Sequence, residues 1–158
     1  FVYGYSVKYM LLELSTVVDA NEKDYFEIVR QMEYTRMRVS KNYPYMNLFL
    51  EEAQKETDEE ILAQTESDRV IFKEKLDAML KNGELEGISE KVQRERIKKM
   101  IRYTIEGVVR DKTLHSSVEP ETIYKEVKNY IDMVKAMVKG TDQPTKGEPI
   151  EAYETVAS

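Results

Sequence analysis

The sequence predicts an all-α fold: an antiparallel bundle of about six helices, the last two of which form a dimer interface. Three observations predict it. The 158 residues include only six glycines and four prolines, so chain reversals are few and the elements between them are long, which selects helix over strand. Apolar residues recur at three- and four-residue spacing, the period of a helix with one buried face. The few breakers fall between these stripes, at Pro44, Asn82-Gly83, Pro120 and Gly140, where helices start and stop.

The first helix is predicted from about Phe1 to Val18, with Val7, Met10, Leu11, Leu14, Val17 and Val18 on one side and Tyr3 extending that face backwards. Asn21 is placed to cap the second, about Glu22 to Asn42, and Asp24 favours its positive end. Tyr25, Ile28, Val29, Met32 and Arg36 line one side of it. Pro44 ends this helix, because the residue before proline avoids the α region, and opens a short third helix carrying Met46, Phe49, Leu50 and Ala53. Thr57 with Glu60 reads as a capping box for a fourth helix, which runs to the Asn82-Gly83 stop. Ser89 is the expected cap of the fifth, about Glu90 to Thr113, striped by Ile97, Met100, Ile101, Thr104, Ile105 and Val108. Pro120 opens the sixth, whose stripe runs from Ile123 to Val138. Residues 1–139 are expected to form one helical body, and residues 140–158 a flexible tail with little apolar content.

Apolar residues make up 41% of the chain and charged residues 34%, the balance of a packed domain with a wet exterior rather than of a disordered chain. A chain of this size buries roughly 70% of the surface it exposes when unfolded. There is no cysteine and a single histidine, His115, which excludes disulfides, thiolate metal sites and multi-histidine metal sites. Lys8 and Glu13 interrupt the apolar start, so it is neither a signal h-region nor a membrane span. A cytoplasmic protein with no membrane partner is the expectation. The chain begins at Phe1 inside a helical pattern, and we expect a segment upstream of it.

The fifth and sixth helices follow each other through a short loop and should lie antiparallel. The sixth is apolar over more than a narrow seam, and such a terminal helix needs cover on two sides. A homodimer built on the last two helices of each copy supplies it. The expected interface residues are Gly107, Val127, Tyr130, Ile131, Val134 and Met137. Gly107 lies mid-stripe, where glycine costs about 1 kcal/mol against alanine; a close approach by another helix, of this copy or a second one, would explain it.

Three stretches resemble the regulatory body of TetR/AcrR-family transcription regulators. They are YPYMNLFL (Tyr43 to Leu50), FKEKLDAMLKNGELEG (Phe72 to Gly87) and IRYTIEGVVRD (Ile101 to Asp111). The resemblance covers about residues 1 to 139. It implies a body that binds an effector in a hollow between the first, second, fourth and fifth helices and dimerises through the last two. It also implies operator DNA as a partner only through a helix-turn-helix head that this chain lacks.

The residues themselves hint at such a hollow. Seven of the eleven tyrosines and four of the eight methionines lie in the first 46 residues. Such side chains suit a mid-sized amphipathic or aromatic molecule, and they serve equally as core filler. The lining candidates are Tyr9, Met10, Met32, Phe72, Ile101 and Ile105. Arg36 and Arg102 lie on or beside apolar stripes and are candidates to orient a polar group of the ligand; Arg102 also has Glu106 four residues on, the spacing of a surface pair. Eight Lys or Arg against three acids between Lys91 and Lys112 read as a solvated face balancing an acidic chain of net charge −6. His115 beside Ser116 and Ser117 lacks a nucleophile elbow, and there is no glycine-rich phosphate loop. No enzyme activity and no cofactor are expected. The competing expectation is a ligand-free helical interaction module, which would show a filled core and an exposed apolar groove instead.

Overall fold

A computed structural model describes residues 1–114 and 118–140. They form six helices and, among them, no strand: α1 (Val2–Val17), α2 (Tyr25–Asn42), α3 (Pro44–Gln54), α4 (Glu59–Lys81), α5 (Lys91–Leu114) and α6 (Pro120–Val138). The all-α prediction and the helix count hold. The expected tail, apart from Gly140, lies outside the described residues, as does His115.

Three helix starts differ from expectation: α5 begins at Lys91, which makes Glu90 rather than Ser89 its flanking residue, and at the other two a carboxylate outcompetes the predicted cap. Asp24, not Asn21, caps α2: its Oδ1 accepts from the Phe26 N–H at 3.0 Å. Asp24 itself stays extended, flanked by bonds from the Tyr25 N–H to the Glu84 carbonyl and from the Glu84 N–H to the Lys23 carbonyl. Gly83 permits this close approach, since a Cβ there would lie 2.8 Å from the Tyr25 Cα. At α4, Asp58 rather than Thr57 is the cap, accepting from the Glu60 and Ile61 N–H groups at 2.9 and 3.3 Å. A carboxylate at this position also meets the positive end of the helix dipole.

α2 runs through the middle of the molecule and serves two cores. Its first half, with Phe26 and Val29, packs against Ile101 and Ile105 of α5 and Val127 and Ile131 of α6. Its second half supplies Val39 to a core shared with Val7, Met10 and Leu14 of α1 and Leu50 of α3. α4 has no fully buried residue; Phe72, Leu76 and Met79 lean onto that second core. Two packing units therefore share one strut, with α5 and α6 on one end of α2 and α1, α3 and α4 on the other.

The antiparallel seam between α2 and α6 carries a polar ladder. Asp24 pairs with Lys135 at 2.7 Å, Arg30 with Asp132 at 3.0 Å, and Lys41 with Glu121 at 2.6 Å, while Tyr34 meets Tyr124 edge-on. At Asp24, burial alone would raise the carboxyl pKa. The hydrogen bond and charge of Lys135 outweigh it, helped by the Phe26 N–H and Lys139, and hold the group below its ordinary 3.8. A carboxyl whose folded pKa is depressed contributes stability that is present above the unfolded value and lost as pH falls through the folded one. Asp24→Asn keeps a capping side chain and removes the charge. It should cost about 1 kcal/mol at neutral pH, and urea melts should show the gap to the parent closing once the pH is well below 3.8.

Candidate functional site

α3 and α4 both rest on α1 and α2, yet no Cα of α3 comes within 8 Å of one in α4. α3 is only eleven residues long, too short to follow the 23 residues of α4 across the bundle. One side chain bridges the gap. Arg69 of α4 donates from Nη1 to the Ala53 carbonyl at the end of α3 (2.8 Å) and from Nε to Thr65 Oγ1 (2.7 Å). Its guanidinium lies 4.8 Å over the Tyr3 ring of α1. Beyond this brace, the space between α3 and α4 is open.

The opening is a partly enclosed cleft of about 370 Å³, with the last turns of α5 leaning over it. Met10 and Leu14 of α1 and Leu50 of α3 form an apolar floor, and Met32, Phe72 and Leu76 form walls. A second hollow of about 300 Å³ shares Leu50, Gln54, Phe72 and Leu76 with it and runs on to Tyr3 and Arg69. Together they make an apolar trough large enough for a small organic molecule.

The polar groups are unevenly spread. Glu33 and Arg36 of α2 pair at 3.4 Å, and the carboxylate is the more deeply set of the two, at 13% exposed against 43%. On α3, Asn47 is 8% exposed and donates from Nδ2 to Glu51 Oε1 at 3.0 Å. Lys55, Glu106 and Arg110 stand at the exposed rim. Lys55 is already held by Glu52 at 3.0 Å.

Of the eight predicted ligand residues, the fold brings Met10, Met32, Arg36 and Phe72 together in this cleft. The other four lie elsewhere. Tyr9 packs edge-on against Tyr43, ring centres 5.1 Å apart; burial, the Tyr43 hydroxyl and Glu13 push its pKa up to about 12, so it remains a neutral phenol. Ile101 and Ile105 are buried in the core with α2 and α6. The face of α5 that reaches the cleft is Glu106, Val109, Arg110 and Thr113, one helical stripe over. Arg102 is exposed, its guanidinium 5.2 Å from the Tyr103 ring, and among the described residues it forms no ion pair with Glu106.

The expected dimer residues also divide. Val127, Ile131 and Val134 are buried inside the protomer's own core, so they have no surface to offer a second copy. Tyr130 is half-buried, and Met137 and Gly107 are exposed. Among the described residues nothing lies within 4 Å of where a Gly107 Cβ would be, so none of the six helices explains that glycine.

Sequence reasoning missed Asn47 and Glu51. Their spacing of four residues on one helix was the available signal, but burial of an amide on a short helix is set by its neighbours. Among the described residues no three His, Asp or Glu side chains converge as a metal site requires, and no helix is long and apolar enough to cross a membrane. No protein-family model, curated protein or solved structure matches this chain.

Proposed function

We propose that this chain is the effector-sensing and dimerising body of a TetR/AcrR-type transcription regulator, acting in the cytoplasm. A small amphipathic or aromatic molecule occupies the cleft, and the bound body alters the DNA affinity of a head domain in the full-length protein. The cleft carries this reading. It supports this reading because α1, α2, α4 and α5 all contribute to it, with α3 in addition.

The arrangement has the mechanical property a sensor needs. The floor and walls belong to the unit around α1, α3 and α4, whereas the overhang belongs to α5 of the other unit. A ligand touching both binds better in one relative placement of the two, and that difference in affinity is what shifts a population. α1, which supplies Met10 and Leu14 of the floor, is the element placed to transmit the shift. Met100 and Tyr103 of α5 and Met133 and Met137 of α6 are exposed apolar side chains, and with Gly107 they offer a second copy an outer face distinct from the buried stripe.

The chain has no tryptophan and is tested with the neutral solvatochromic dye Nile red. Dye added to the folded chain should brighten and shift to the blue. Met32→Trp, which fills the cleft from a partly buried wall position, should weaken dye binding by about tenfold, or about 1.4 kcal/mol, with the circular dichroism melt retained. Equal dye binding by both proteins, or none by the parent, would remove the cleft as a ligand site.

A further inference from the structure

Resting on the reading of the cleft as a ligand site, we infer that its ligand is an organic cation, an ammonium or amidinium carried on an apolar body, rather than a carboxylate or other anion. By count the cleft is balanced, with Glu33, Glu51 and Glu106 against Arg36, Lys55 and Arg110. By depth it is not. Glu33 is set well below the half-exposed Arg36 beside it. Glu51 is half-buried, while Lys55 is 72% exposed and committed to Glu52. Glu106 and Arg110 are both exposed at the rim, where solvent screens them and they cancel.

The inner polar wall is therefore dominated by acceptors, the carboxylates of Glu33 and Glu51 lying deeper than the Arg36 guanidinium. Asn47 is more than nine-tenths buried and lines the cleft. Its Nδ2 gives one of its two N–H groups to Glu51 Oε1, and its own Oδ1 has no hydrogen-bond partner among the described residues. That bond also turns the Glu51 carboxylate to a fixed orientation. Among the described residues Glu33 has a single, long contact at 3.4 Å, to the more exposed guanidinium of Arg36. Carboxylates withdrawn from water are best satisfied by a group that brings both charge and N–H or C–H donors. The apolar floor of Met10, Leu14 and Leu50, with Phe72 above, takes the body of such a molecule, and methionine sulfur and an aromatic face both suit a soft cation. The chain's net charge of −6 steers cations toward it and anions away.

The test uses two probes with the same alkyl chain and opposite heads, decyltrimethylammonium and decanesulfonate, each displacing Nile red from the full chain below its micelle concentration. The ammonium should displace dye at a concentration at least about tenfold lower than the sulfonate. Glu33→Gln leaves the Arg36 guanidinium unpaired, so it should erase this preference or reverse it. Glu51→Gln, on another helix, should reduce it several-fold and stands in if the first variant does not fold. Glu95→Gln, on α5 and paired with Lys98 outside the cleft, should leave it unchanged. Sulfonate binding as tight as ammonium, bound dye that neither probe displaces, or a preference that survives both cleft substitutions overturns the cation assignment and leaves the cleft a ligand site. If the dye itself does not bind, the cleft reading falls, and the cation assignment with it.

Discussion

Ile131→Asp is expected to unfold the protomer rather than to separate two copies. Ile131 lies on the sixth helix, where sequence spacing alone would make it a subunit contact, but it is 2% exposed and packed in the core that α6 shares with α2 and α5. An aspartate there places a charge without a partner in an apolar interior, at a cost of about 3–5 kcal/mol. A domain has about 5–15 kcal/mol of stability in all. The melting temperature should fall by about 10 °C or more, and the cooperative transition is at risk of being lost altogether. Met137→Asp, six residues on and 69% exposed, should leave the melt within about 0.5 kcal/mol of the parent while weakening a dimer built on the outer face. Sedimentation velocity beside a circular dichroism melt separates the two effects. An Ile131→Asp protein that melts like the parent but sediments as a smaller species would return that residue to the subunit interface.

Phe26→Ala should be nearly as costly. Phe26 is 2% exposed, among the largest fully buried side chains, and sits on the half of α2 that faces α5 and α6. Truncating a core phenylalanine costs about 3–5 kcal/mol, part from lost transfer energy and part from the cavity left behind. Its neighbours belong to three helices anchored elsewhere, so the site has little freedom to collapse. Phe72→Ala makes the contrast. That ring is only partly buried and already borders open volume, so its removal enlarges a space that exists instead of creating one, and the loss should be clearly smaller. Denaturant unfolding of the two variants side by side gives the comparison; equal losses would mean that the cleft wall is as tightly packed as the core.

The second helix also shows where reading the sequence succeeds and where it stops. Phe26 and Met32 both lie on the apolar side of the second helix by spacing, yet one is core and the other is cleft wall. Periodicity identifies a buried face; it does not say whether the facing volume is filled. The same holds on the fifth helix. The Ile101–Ile105 stripe is correctly apolar, and only the packing of α5 against α6 turns it inward and brings Glu106 and Val109 to the cleft.

The one-dimensional pattern determined the helices, because breakers and the 3.6-residue period act within a few residues of each other: Pro44, Gly83 and Pro120 end or begin segments wherever the rest of the chain lies. It determined the charge, the absence of thiols and four residues of the cleft lining, Met10, Met32, Arg36 and Phe72. The tertiary structure alone decided that α2 is shared by two cores, that α3 and α4 stand apart with Arg69 between them, and that Asn47 is buried beside Glu51. Those facts depend on how helices distant in the chain meet, and a hollow is made by where side chains end, which no local spacing records.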